Sequence, residues 1–232
     1  MEAPPGGVVD GRPGIMKRVS DSSVQRLSLY MRVLAELEGG GAETVSSETL
    51  AQMSGTTAAQ VRKDLSQFGT FGKRGIGYRV ADLRNELRTI LGLSRSWRVA
   101  LVGAGKIGKA LLGYSGFRRQ GFVIESVFDS DPRKIGRRVG GIEVRSIDEL
   151  EQRLREDGTE IVIVAVPARA AREVVDRVVA AGVRGILNFA PVKLHVPPGV
   201  VLKNVNMVVE LEGVSYALAR AATNGESGGM TT

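Results

Sequence analysis

Residues 101–117, LVGAGKIGKALLGYSGF, carry the most specific chemistry in the chain. An apolar run breaks there into Gly103, Ala104, Gly105, Lys106, Ile107 and Gly108. In that spacing the first glycine makes a tight turn, the second admits a pyrophosphate against the backbone, and the third lets helix pack on strand. A helix opening at this point aims N–H groups that lack helical partners at phosphate oxygens. Asp129 follows Gly108 by about 20 residues, where a carboxylate accepts hydrogen bonds from adenine-ribose hydroxyls and repels a 2′-phosphate. This favours NAD(H) over NADP(H), a preference softened by Arg133, Lys134, Arg137 and Arg138 just beyond.

A second constellation lies at residues 55–79, where Arg62, Lys63, Lys73, Arg74 and Arg79 face a single acid, Asp64. At helical spacing over residues 57–68, Ala58, Val61, Leu65 and Phe68 share an apolar face. Ala59, Gln60, Lys63, Ser66 and Gln67 occupy the opposite face, with Arg62 at its flank. Such a helix suits the major groove: Gln60, Lys63 and Gln67 are candidates for base edges, while Arg62, Lys73 and Arg74 suit phosphate contacts that position the duplex. Residues 69–80, GTFGKRGIGYRV, read as a wing of two short strands with Lys73 and Arg74 at its tip.

The inventory for catalysis is poor. There is no cysteine, the one histidine, His195, sits in the proline-rich loop KLHVPPG, and no segment after the nucleotide motif is long enough for a substrate domain. No catalytic residue and no metal ligand set is assigned. A nucleotide site without a catalytic group points to sensing.

The elements that must position these residues follow the same pattern. Helices over residues 22–37, 46–53 and 57–68, the last two joined by Ser54-Gly55-Thr56, have helix-turn-helix spacing. A connecting helix over 82–91 leads to a boundary at residues 92–95. Beyond it strands 97–102, 122–129, 160–166 and 183–189 alternate with helices 106–120, 147–156 and 168–181, which implies a doubly wound parallel α/β sheet. Strand 200–204 precedes a helix over 207–222, apolar almost all round, which suits a subunit interface. The expected organisation is a disordered head (1–14), a winged helix-turn-helix domain (15–81), a connecting helix and linker (82–95), a Rossmann domain (96–206), a dimerisation helix (207–222) and a disordered tail (223–232).

The 232 residues carry 32 basic against 25 acidic side chains, a net charge of +7, which suits an anionic partner. The lack of cysteine excludes disulfides and thiol redox chemistry. No run reaches the roughly 20 apolar residues of a membrane span and no signal peptide is evident, so a cytoplasmic protein is expected.

With these motifs in this order the chain resembles the Rex family of redox-sensing transcriptional repressors. The resemblance runs over nearly all of residues 15–222, through RLSLYMRVL (26–34), QVRKDLSQFGTFGKRGIGY (60–78), LVGAGKIGKALLGYSGF (101–117), FDSDPRKIG (128–136) and GILNFAP (185–191). It implies a homodimer whose terminal helix swaps onto the partner, bound to palindromic operator DNA when NADH is scarce and released by NADH. It further implies that Arg32 and Tyr114 make alternative polar contacts in the two states and that Met207 faces the nicotinamide. The family has an Asp at the start of the terminal helix, and this chain has Asn206 there, which accepts a hydrogen bond but cannot pair ionically with Arg32. Competing readings are an NAD-dependent oxidoreductase with an accessory basic domain and a regulator that senses another nucleotide such as coenzyme A.

Overall fold

In the computed structural model, which describes residues 20–72 and 75–226 and side chains as far as Arg220, the chain divides into two units at Arg95/Ser96. The expectations for residues 1–14, for Lys73 and Arg74, and for the tail beyond Glu226 lie outside the described residues.

The first unit contains α1 (Asp21–Gly39), β1 (Thr44–Val45), α2 (Ser47–Ser54), α3 (Ala58–Ser66), β2 (Tyr78–Arg79) and α4 (Val80–Ile90). Three helix starts are set by local chemistry. Ser20, Ser46 and Thr57 each accept a hydrogen bond from the backbone N–H three residues on, satisfying a donor the helix leaves unpaired. Gly55, in the left-handed conformation, ends α2, and α3 begins after the cap residue Thr57. Leu27, Leu34, Leu50, Val61, Leu65 and Leu87 are fully or almost fully buried, each contributing about 1.5–3 kcal/mol of transfer free energy.

The wing departs from the sequence reading. Strand β2 pairs antiparallel with β1, ahead of α2, and residues 69–72 form no strand. Glycine is the reason. Gly72 and Gly77 hold φ of 79° and 87°, and a Cβ at Gly77 would overlap the Val45 carbonyl oxygen. A regular strand cannot hold such conformations, whereas this backbone lets the loop close against β1.

The second unit contains β3 (Trp97–Val102), α5 (Lys106–Gly113), α6 (Ser115–Arg119), β4 (Phe122–Asp129), β5 (Arg138–Val139), β6 (Ile142–Ser146), α7 (Leu150–Glu156), β7 (Ile161–Val164), α8 (Ala168–Ala180), β8 (Gly185–Asn188), β9 (Val201–Asn204) and α9 (Met207–Glu226). Among the described residues seven strands make one sheet in the order β5-β6-β4-β3-β7-β8-β9, parallel except for the β5–β6 pair. The order reverses beside β3, and in sheets of this kind ligands bind at the carboxyl ends of the strands at that reversal.

One face of the sheet packs Ala100, Val102, Phe128 and Val162 against α7 and α8. The other packs Val99, Leu101 and Val127 against Leu111, Leu112 and Phe117. The helix expected over 106–120 breaks in two at Tyr114, whose backbone is extended at φ −82° and ψ 100°. Gly113 and Gly116 weaken the helix there, and the Tyr114 ring lies where a Cβ on Gly116 would stand. The β5–β6 hairpin was not expected. The helix expected over 147–156 starts instead as a 3-10 turn, Ile147–Glu149, before α7. The terminal helix runs four residues past its expected end at 222, to Glu226.

Candidate dinucleotide cleft and DNA-reading helix

The glycine turn is built as its spacing requires. Gly103 has φ 104°, and a Cβ on it would overlap the Ala165 carbonyl oxygen. A Cβ on Gly108 would overlap the carbonyl oxygen of Gly103, so α5 can lie on the turn only with glycine there. At Gly105 a Cβ would have no neighbour within 4 Å. Its bare backbone opens instead onto a cleft of about 730 Å³ also lined by Gly103, Lys106, Ile107 and Asp129. The first-turn N–H groups of α5 have no helical carbonyl to bind, which suits phosphate.

Asp129 ends β4 and is buried. Its Oδ2 accepts from the Ala104 N–H and from Lys134 Nζ, both at 2.8 Å, and its Oδ1 accepts from the Asp131 N–H at 2.8 Å. Burial by itself would raise its pKa, but hydrogen bonds from Lys134 and from the Asp131 and Ala104 backbones outweigh it and hold the carboxyl below its ordinary value. Asp131, also at the cleft, accepts from the side chain and backbone N–H of Arg133, which bring its pKa down to about 2.

Ile147, Val166, Ala170 and Val174 add apolar surface to the wall of the cleft, beside Asp148, Glu173 and Arg177. Arg177 ties that wall together, donating to both oxygens of Glu151 at 2.6 and 2.5 Å and to the Ile147 carbonyl at 2.9 Å. Apolar lining, a buried carboxylate and a bare glycine turn in one cleft fit an adenine dinucleotide. Lys134 entered the sequence reading only as a nearby charge, and Ile147 and Arg177 not at all, because α7 and α8 meet the turn only through the sheet.

Of the other residues expected at the cofactor, Ala104 is buried beneath the turn. Tyr114 and Met207 lie outside the residues lining the cleft and are more than half exposed. The Tyr114 ring meets Phe117 edge-on at 5.1 Å. Asn206 Oδ1 accepts from the Val208 N–H at 3.0 Å, so this residue caps α9.

On α3, Ala59, Lys63, Ser66 and Gln67 are exposed, as a reading face requires. Arg62 is exposed and donates to Ser47 Oγ at 2.7 Å and Glu48 Oε1 at 3.0 Å, linking α3 to α2. Gln60 is only half-exposed and donates through Nε2 to Asp64 at 2.8 Å. Arg32 is exposed on α1. No group of His, Cys, Asp and Glu able to hold a metal occurs among the described residues, and no helix among them is long and apolar enough to cross a membrane.

A helix-turn-helix unit followed by a parallel α/β unit with a dinucleotide cleft defines a two-domain DNA-binding protein of the Rossmann class. Residues 94–192 match the family model "CoA binding domain", and residues 18–66 match "Putative DNA-binding protein N-terminus". The chain is 48% identical to the redox-sensing transcriptional repressor Rex of Desulfitobacterium hafniense over 86% of its length and 95% of that protein. It is 49% identical to the Rex of Roseiflexus sp. over 88% of its length and 93% of that protein. Among solved structures it is similar to the Rex-family repressor RSP, with a TM-score of 0.84 and 35% identity, covering 92% of this chain and all of that one. RSP in complex with NAD+ and operator DNA superposes with a TM-score of 0.84 at 36% identity, covering 93% of this chain and all of that one. The chain belongs to the Rex family of redox-sensing transcriptional repressors.

Proposed function

We propose that this protein is a transcriptional repressor that binds operator DNA through α3 and the wing and senses the NADH/NAD+ ratio through the cleft at the end of β3. The observation that carries this reading is the glycine turn with its guarding carboxylate, Asp129, in the same chain as a helix-turn-helix unit. RSP has been solved both with NADH and with NAD+ and operator DNA, which supports one protein accommodating both kinds of ligand.

The dinucleotide acts here as a signal. NADH must bind the DNA-incompetent state better than the competent one, and DNA must reciprocally weaken NADH binding. The two redox forms share phosphates and riboses and differ at the nicotinamide, cationic in one and neutral in the other, so discrimination arises at that ring. Asp129 and Asp131 at the cleft disfavour a phosphorylated ribose, a preference softened by their partners Lys134 and Arg133, and this weighs against NADP(H) and against coenzyme A.

The working unit is a homodimer on a palindromic operator. Two apolar surfaces within the chain support this. Helix α9 exposes Val209, Leu211, Val214 and Leu218 by more than half, and Phe117, Ile163, Leu187 and Val201 line an open apolar groove on the sheet. A helix exchanged between two copies would cover both and place Met207 at the partner's nicotinamide. The role is regulatory, and His195 takes no part in it.

The test is fluorescence anisotropy of the purified protein on an inverted-repeat duplex at fixed salt, with NADH, NAD+, NADPH and coenzyme A titrated separately. Release by NADH at concentrations where the other three do little is the expected result. DNA binding indifferent to NADH, or NADH oxidation with carbonyl substrates, would overturn it.

A further inference from the structure

The reading helix carries a carboxylate that no DNA contact can use. Asp64 lies in the last turn of α3 and is completely buried. Its Oδ2 accepts from Arg26 Nε at 2.6 Å and from the Tyr30 hydroxyl at 2.9 Å, and its Oδ1 from Arg26 Nη2 and Gln60 Nε2, both at 2.8 Å. Arg26 also reaches Ser23 Oγ at 3.2 Å, and that hydroxyl meets the α1 cap Ser20 Oγ at 3.0 Å. A chain of polar contacts thus runs from the start of α1 to the reading helix.

We propose that Asp64 is a positioning residue for operator recognition: through Arg26 and Tyr30 it fixes the rotation of α3 on α1, and through Gln60 it fixes the amide of a base-reading side chain. The proposal rests on the reading of α3 as an operator-binding helix.

Apolar packing alone would hold α3 loosely about its axis. The helix is nine residues long, and its buried apolar side chains are Val61 and Leu65. Packing of this kind is non-directional. A rotation of about 20° would move a side chain at a radius of about 5 Å by about 2 Å. A base-edge hydrogen bond tolerates only a few tenths of an ångström. The two-pronged Arg26–Asp64 contact and the Tyr30 hydroxyl are directional and come from α1, so they supply the angle that packing does not.

The charge on Asp64 matters as well as its place. An ionised carboxylate only accepts, so the Gln60 amide must present Nε2 to it. That orientation sets the polarity of what remains of the amide for DNA. Asparagine at position 64 fits the space but carries one acceptor oxygen and one donor group, so two of the four donor contacts now made to Asp64 would face an amide NH2.

The experiment measures full-length protein on two duplexes by anisotropy: a site selected by the parent from a randomised library, and a random sequence of equal length. Tyr30→Phe, Gln60→Ala and Asp64→Asn are compared with the parent below their melting temperatures, and NADH binding without DNA checks that the second unit is intact. For Asp64→Asn we expect affinity for the selected site to fall tenfold or more, against less than threefold for the random duplex, with NADH affinity unchanged. Tyr30→Phe should lower the ratio of the two affinities by about threefold. Gln60→Ala should relax the preferred base at one position in each half-site.

If Asp64 served stability alone, the ratio would stay within twofold of the parent in folded Asp64→Asn and Tyr30→Phe, and that result overturns the proposal. Should Asp64→Asn fail to fold, Tyr30→Phe decides by the same ratio. A parent that selects no site at all would refute the operator-binding reading itself, a separate result.

Discussion

Lys134 Nζ lies 2.8 Å from Asp129 Oδ2, so the carboxylate that guards the nucleotide cleft is already paired before any ligand arrives. Two backbone N–H groups share it. With four acceptor positions on the carboxylate and three occupied, one remains open to a further donor, and the Lys134 ammonium has donor capacity beyond Asp129. Lys134→Met is expected to lower NADH affinity by about tenfold or more, the scale of one hydrogen bond to a charged group at about 1.5–3 kcal/mol. Isothermal titration against the parent measures it.

The same pair sets an acid limit. The folded-state pKa of Asp129 lies below its ordinary 3.8, and so does that of Asp64, so near that pH the unfolded chain binds more protons than the folded one. Their contribution to stability is complete above the unfolded value and is lost as pH falls through the folded values. Asp129→Asn removes its share. The melting-temperature gap between parent and variant should therefore narrow as pH is lowered from about 7 to about 3, followed by circular dichroism.

Gly105 and Gly108 should separate binding from folding. Alanine at Gly108 would overlap the Gly103 carbonyl and is expected to destabilise the second unit by about 3 kcal/mol or more. Alanine at Gly105 meets nothing within 4 Å, and its φ of −78° suits any residue. Its methyl would stand where the phosphates approach. Gly105→Ala should melt within about 0.5 kcal/mol of the parent yet bind NADH at least tenfold more weakly, by calorimetry and fluorescence titration.

Asn206 separates a cap from a charge. Its Oδ1 holds the Val208 N–H, a task Asp performs equally well, and Ala in its place should cost about 1 kcal/mol of helix stability. Asn206→Asp keeps the cap and adds a negative charge at the start of α9. It should leave helix content unchanged while shifting the NADH concentration for operator release by threefold or more. An unchanged midpoint would confine Asn206 to capping.

Leu211 is 68% exposed on α9, within the apolar surface proposed above to pack against a second copy. Leu211→Asp places a charge in that interface and should shift sedimentation equilibrium from dimer towards monomer, weakening operator binding by at least tenfold. The melting of either unit should change little.

Much of this protein was legible in its sequence because its signals are local. Ser20, Ser46 and Thr57 announce helix starts through their own backbones, Gly55 ends a helix, and the glycine spacing at 103–108 imposes a turn whatever surrounds it. The alternation of strands and helices likewise implied a parallel sheet. Tertiary structure decided what depends on distant partners. β2 paired with β1 across an intervening helix-turn-helix because left-handed glycines bar a strand at 69–72. Arg177 reached the cleft only through the packing of α8 on the sheet. Gln60, polar and on the reading face by spacing, is turned toward Asp64, which itself answers to Arg26, 38 residues away. Spacing along a helix states which side chains share a face, but a buried charge takes its partners from wherever the fold brings donors, and only the folded chain shows where that is.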